Sequence, residues 1–224
     1  MDAAQTIRDC IADVTALRLH RTGDPALGAA VGSVKSLQAR RFRGTYADLM
    51  GSPAFGPAAQ FFLEELYSDT DYTDRDLQFG RIAGTLQTMF PQPVVNTAVA
   101  LAVLHAQTEG LDQDMGRAWL LHEADAVNVA VRYTAAWRTV GQRHARQQQL
   151  QRVLAMGNDL ARLTRTPGLR MMLRMMRGPA NAAGMGALQK FLEAGFDTFG
   201  QLARQRGGVE PVSYTHLTLP TTPY

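Results

Sequence analysis

From residue 7 to residue 202 the apolar side chains return every three or four positions, and no stretch alternates apolar with polar over the length of a strand. A period near 3.6 collects such residues on one face of a helix, whereas a strand needs a period of two. No Asn-Gly or Asp-Gly pair is present to turn a hairpin. The chain must therefore bury its apolar surface with helices alone. The expected fold is all-α, a single-domain bundle of about eight to ten helices. With 224 residues, 46% of them apolar, it can form a sizeable core without staples.

Stripes and stop signals divide the chain. Ile7, Ile11, Val14 and Leu17 mark a first helix that Gly23 closes. Asp24-Pro25 supplies an N-cap and a first-turn proline for a second, which runs to about Phe42. Ser52-Pro53 gives the same signal for a short helix through Phe61 and Leu66. Thr73 stands three residues before Asp76, a capping-box spacing, ahead of Leu77, Ile82 and Leu86. Pro91 and Pro93 break that helix. The next is apolar nearly all round through Val94, Val95, Leu101 and Leu104, which predicts a place in the middle of the core. Gly110 fits its C′ position, with a short helix expected over 115–121. Later stripes cover 127–140, 150–163 and 169–176, where Gly178-Pro179 interrupts, and then 188–202.

Two blocks carry a resemblance. The first is Phe61-Phe62-Leu63-Glu64-Glu65-Leu66-Tyr67 with Arg75-Asp76, Phe79, Arg81-Ile82 and Phe90-Pro91. The second is Arg177-Gly178-Pro179-Ala180 with Gly186-Ala187-Leu188-Gln189, Phe191-Leu192-Glu193 and Gly195-Phe196-Asp197. Over about residues 40–200 the chain resembles a family of uncharacterised all-helical bacterial proteins. The family pattern has Tyr-Gly-Pro where this chain has Tyr67-Ser68-Asp69. The resemblance implies an all-helical fold and no particular activity. The last residues, from Val212, read VSYTHLTLPTTPY and lack any charged side chain. They resemble the translated adapter read-through found at the ends of metagenomic reading frames. The expected organisation is thus a helical domain over 1–210 and an artefactual or disordered tail over 211–224.

Several chemistries lack their residues. One cysteine, Cys10, excludes an internal disulfide and any Cys-rich metal site. No Gly-x-Ser-x-Gly elbow and no Gly-x-x-x-x-Gly-Lys loop is present. The acidic run of Glu64, Glu65, Asp69, Asp71, Asp74 and Asp76 does not keep a calcium-loop register: Asp74 stands where glycine is needed and Gly80 where glutamate is needed. Asp74 and Asp76 are instead expected to serve a helix N-terminus. His105 and Glu109, one turn apart, and His122 are the candidates for a metal or haem site. A packed, hydrogen-bonded role competes with that reading.

Between Arg132 and Arg177 stand ten arginines and a single carboxylate, Asp159. Arg170, Arg174 and Arg177 fall at i, i+4 and i+7 and form a candidate binding stripe expected opposite Leu169, Leu173 and Met176. Phosphates, an acidic protein or the chain's own acidic run over 64–76 would satisfy it. No nucleic-acid motif accompanies the arginines, which disfavours nucleic acid. Met172 and Met176 fit the core stripe, and Met171 and Met175 broaden it.

These features favour a non-enzymatic protein-interaction or regulatory bundle, with a protein partner or a second copy of the chain and no cofactor. A ligand-, haem- or metal-binding bundle, with or without enzymatic activity, and an anionic-surface binder are the alternatives. No apolar run reaches bilayer length. The arginine bias and the lone cysteine point to a bacterial cytoplasmic protein.

Overall fold

The computed structural model describes residues 2–65, 70, 72–122 and 128–204. Among them are ten helices and no strand: α1 (Ala3–Gly23), α2 (Pro25–Thr45), α3 (Ala47–Met50), α4 (Gly56–Glu65), α5 (Thr73–Met89), α6 (Gln92–Leu121), α7 (Val129–Val140), α8 (Arg143–Leu163), α9 (Leu169–Ala182) and α10 (Gly186–Arg204). The all-α expectation holds. The 211–224 tail lies outside the described residues. No helix among the described residues is long and apolar enough to cross a membrane.

Capping sets the first boundaries. Asp2 accepts from the backbone N–H groups of Ala4 and Gln5 at the start of α1. Asp24 Oδ1 accepts from Leu27 N at 3.1 Å at the start of α2, as the Asp-Pro pair requires. Two signals act differently from their sequence reading. Ser52 shapes a turn, with its Oγ accepting from Ala54 N at 3.3 Å and its carbonyl from Gly56 N at 2.7 Å. The helix itself begins at Gly56, where an added Cβ would stand 2.6 Å from Met50 O. Thr73 is the first residue of α5 and not its cap, and Asp76 points inward.

Two expected breaks are absent. Helix α6 passes through Gly110 and absorbs the separate helix expected over 115–121. Leu111, Met115 and Trp119 are buried on that continuation, and their packing outweighs glycine's preference of about 1 kcal/mol against a helix interior. Pro179 lies inside α9, in its last turns, where only one intrahelical bond is forgone.

With 30 residues, α6 is the axis of the bundle, about 45 Å long at 1.5 Å per residue. Helices α1, α2, α5, α7 and α8 pack on it. Helix α10 lies outside them against α4, α5 and α8, and α9 packs on α10. Three apolar clusters result. Ile7, Ile11, Phe79, Leu86, Ala102 and Leu188 join α1, α5, α6 and α10. Val34, Met115, Trp119 and Tyr133 join α2, α6 and α7. Phe42, Tyr46, Ala59 and Leu63 join α2 and α4.

Candidate functional site

The first two clusters are separated along α6 by a layer of buried polar side chains. Its cause is visible in two stripes. On α1 the inward positions are Ala4, Ile7, Ile11 and Val14, and the same spacing then delivers Arg18 and Arg21. On α6 the heptad-spaced positions are Val95, Ala102, Glu109 and Gly116, alongside Ala98, His105, Asp112 and Trp119. Each stripe keeps its period while its chemistry changes from apolar to charged. The two helices run side by side in the same sense, so their charged rungs meet.

Asp76 of α5 forms the first rung. Its Oδ2 accepts from Arg18 Nη2 at 2.7 Å and lies 2.7 Å from His105 Nε2. Burial raises the Asp76 carboxyl, but His105 and Arg18 more than offset this and hold it below the usual carboxylate range. Arg75 Nε stands 3.7 Å from the other oxygen, and its guanidinium lies over Phe191 at 4.5 Å and Tyr72 at 3.9 Å. Glu109, only 5% exposed, forms the second rung. Lys35 Nζ donates to its Oε1 at 2.6 Å and Arg21 Nη2 to its Oε2 at 2.8 Å. Burial again opposes ionisation, but the two cations prevail and bring the carboxyl down to about 2.

Asp112, one turn on and 3% exposed, behaves oppositely. Burial pushes its carboxyl above the usual range, and Lys35 and Arg146 offset only part of that. Around it Gln38 Nε2 donates to the Tyr133 hydroxyl at 3.4 Å, Arg146 Nη2 to Leu111 O at 3.3 Å, and Gln149 Nε2 to Thr108 Oγ1 at 2.8 Å. Buried charges are stable only when paired and hydrogen-bonded. This layer therefore fixes the register of α1, α2 and α5 on α6, because a slip would set charges against methyl groups.

The three candidate ligands on α6 do not converge. His105 is engaged by Asp76 and Glu109 by Lys35 and Arg21, while His122 Nε2 lies 2.7 Å from Thr139 Oγ1. His105 and His122 stand 17 residues apart on one axis, about 25 Å at helical rise. Among the described residues no three His, Cys, Asp or Glu side chains gather as a metal ion would need. Cys10 is half-buried beside the first apolar cluster. Burial, then Asp13 and Asp9, push its thiol up, which is the reverse of an activated nucleophile. Within the acidic run, Asp69 and Asp71 lie outside the described residues, Glu65 pairs with Arg75 and Asp76 with α1 and α6.

Most of the later arginines are used inside the fold. Arg132 donates to Trp119 O and lies over its ring, and Arg165 donates to Ala203 O at 3.0 Å. Arg170 Nε donates to Asp197 Oδ1 at 2.8 Å and Arg177 Nε to Glu193 Oε1 at 3.0 Å, so both ends of α9 are clamped to α10. Gln189 Nε2 adds a bond to Leu173 O at 2.7 Å. Arg174 stands between the two clamps with no hydrogen bond or ion pair among the described residues. Beside it Met171 is 67% exposed and Met175 70% exposed. At helical spacing the three share the outer side of α9, turned away from Leu169 and Ala180, the buried positions of that helix.

A family model matches residues 17–213. The chain belongs to that family, described as a domain of unknown function, DUF8198. The matched range takes in every rung of the charged layer together with α9 and α10. No curated protein and no solved structure matches the chain.

The sequence reading missed Arg18, Arg21, Lys35 and Asp112. A signal for the last was present: charged residues at the heptad positions of an otherwise apolar stripe are buried unless the helix rotates.

Proposed function

We propose that the chain is a non-enzymatic protein-interaction module whose docking face is the outer side of α9. One observation carries the reading: Met171 and Met175 stand exposed around Arg174, which makes no hydrogen bond or close ion pair among the described residues and feels Glu193 only through space, on a helix tied to α10 at Arg170 and Arg177. Exposed methionines adapt to many apolar surfaces. A rigid helix face presents them without the ordering entropy that a loop would lose on binding. The charge calls for a partner helix with an apolar stripe and a carboxylate opposite Arg174. A second copy would bring Arg174 against Arg174 in a two-fold contact centred there, which disfavours self-association through this face. The lone cysteine and the arginine-rich composition favour the bacterial cytoplasm as its setting.

Site-specific photo-crosslinking in the native cells tests this. A crosslinker at position 171 or 175 is expected to capture the same protein, through a helix bearing carboxylates. One at Leu77, exposed on α5, is expected to miss it. Exchanging Arg174→Glu should abolish the capture while the thermal melt stays unchanged. Capture from position 77 with equal yield, or capture that survives R174E, would overturn the proposal.

A further inference from the structure

A cleft of about 360 Å³ opens between the N-terminal parts of α1 and α6 and the middle of α8. Val99 and Val103 of α6 and Met156 of α8 form its apolar wall. Arg152 of α8 lines one end. Its Nη1 donates to Gln107 Oε1, and no carboxylate pairs with it among the described residues. The other end holds Asp159, already engaged by Arg162, and the side-chain amides of Gln92 and Asn96, which bond each other at 2.8 Å. Arg152 and Asp159 lie at i and i+7 on α8, on one face and about 10 Å apart along the helix.

A half-buried guanidinium without a counter-ion beside an apolar wall is an uncompensated charge. It is also the one uncompensated charge among the polar side chains named on this cleft. The volume falls in the range of small-molecule sites, which are mainly apolar with a few placed polar groups. We propose that this cleft binds a small organic carboxylate with an aliphatic body. The free guanidinium edge, Nε and Nη2, donates to the carboxylate. The chain of the ligand lies along Val99, Val103 and Met156 and ends near the amides. A free phosphate lacks the apolar body, and a neutral alcohol or an alkylamine lacks the charge that Arg152 recognises. The site is separate from the outer face of α9, and its test is independent of partner capture.

The probe is octanoate, followed by isothermal titration and by amide chemical shifts of the full chain. Saturable binding is expected, with the shifts confined to the residues around the cleft, 3–6, 92–103 and 152–159. Octanol and octylamine should bind at least about tenfold more weakly, the discrimination due to one charge-assisted hydrogen-bonded contact. Arg152→Gln should weaken octanoate by a similar factor, and Arg152→Lys should restore part of it. Val103→Trp fills the cleft without touching the charge and should abolish binding with the circular dichroism spectrum unchanged. Shifts scattered over the surface, octylamine binding as tightly as octanoate, or an affinity indifferent to R152Q would each refute the proposal.

Discussion

Replacing Glu109 by glutamine removes one charge from the middle of the bundle and almost no volume. The carboxylate it deletes is bonded to Lys35 at 2.6 Å and Arg21 at 2.8 Å, and all three side chains are largely out of solvent. Folding lowers the Glu109 carboxyl from 4.5 to about 2. At 1.36 kcal/mol per unit this linkage contributes about 3 kcal/mol at pH 7. The sign follows from the direction: a depressed folded value stabilises above the unfolded one, and that stabilisation is lost as pH falls from about 4.5 toward 2. Deleting one member of a buried pair gives a similar loss of about 3–5 kcal/mol. Urea unfolding of the wild type and Glu109→Gln, followed by circular dichroism, should therefore differ by about 3 kcal/mol at pH 7 and about 1 kcal/mol at pH 3. Glutamine resembles the protonated acid, so the two curves must approach one another as the solution is acidified. A difference under about 1 kcal/mol at pH 7, or one that does not shrink by pH 3, would show that Lys35 and Arg21 do not need this partner.

Four further substitutions probe the packing. Asp76→Asn leaves Arg18 and His105 without their shared anion and should cost about 3 kcal/mol in urea unfolding; a loss below about 1 kcal/mol would mean that the asparagine amide oxygen or water satisfies both donors. Gly116→Ala would place a Cβ 2.4 Å from Val31 Cγ2 and 3.2 Å from Val31 N, so the melt should drop by the equivalent of about 1–3 kcal/mol of overpacking. Gly110→Ala meets nothing within 4 Å and should instead stabilise by about 1 kcal/mol; the opposite order for these two would misplace α2 on α6. Arg170→Ala breaks an exposed pair with Asp197 and should change the melt by less than about 1 kcal/mol, so a larger loss would make that clamp structurally essential.

Some of this arrangement was legible in the chain and some was not, and the division falls residue by residue. The Asp24-Pro25 boundary was readable because a cap and its helix are neighbours in sequence. Gly110 and Pro179 misled for the same local reason: each weakens a helix by a fixed amount, and nothing nearby in sequence reveals that Leu111, Trp119 or Ala180 will be buried beyond it. Asp76 was legible as an acid in a first turn but not as the acceptor for Arg18, 58 residues away. Arg170 and Arg177 read as a basic stripe open to an outside partner or to the acidic run over 64–76, and the carboxylates that α10 brings against them are Asp197 and Glu193. Met171 and Met175 read as a broadening of the core stripe but stand exposed, because a stripe shows which residues share a face and not how wide the covered part is.

The sequence by itself determined that the chain is helical and where most of its helices lie, though not where α6 and α9 end, since hydrophobic period and caps act within a few residues along the chain. It also determined the class of fold and the absence of several catalytic motifs. Only the tertiary structure decided which charges are buried together, that Glu109 would stay ionised while Asp112 is pushed toward its neutral form, and which side of α9 faces outward. Those outcomes depend on partners brought close from distant parts of the chain, and both Coulomb attraction and desolvation are set by distance in space.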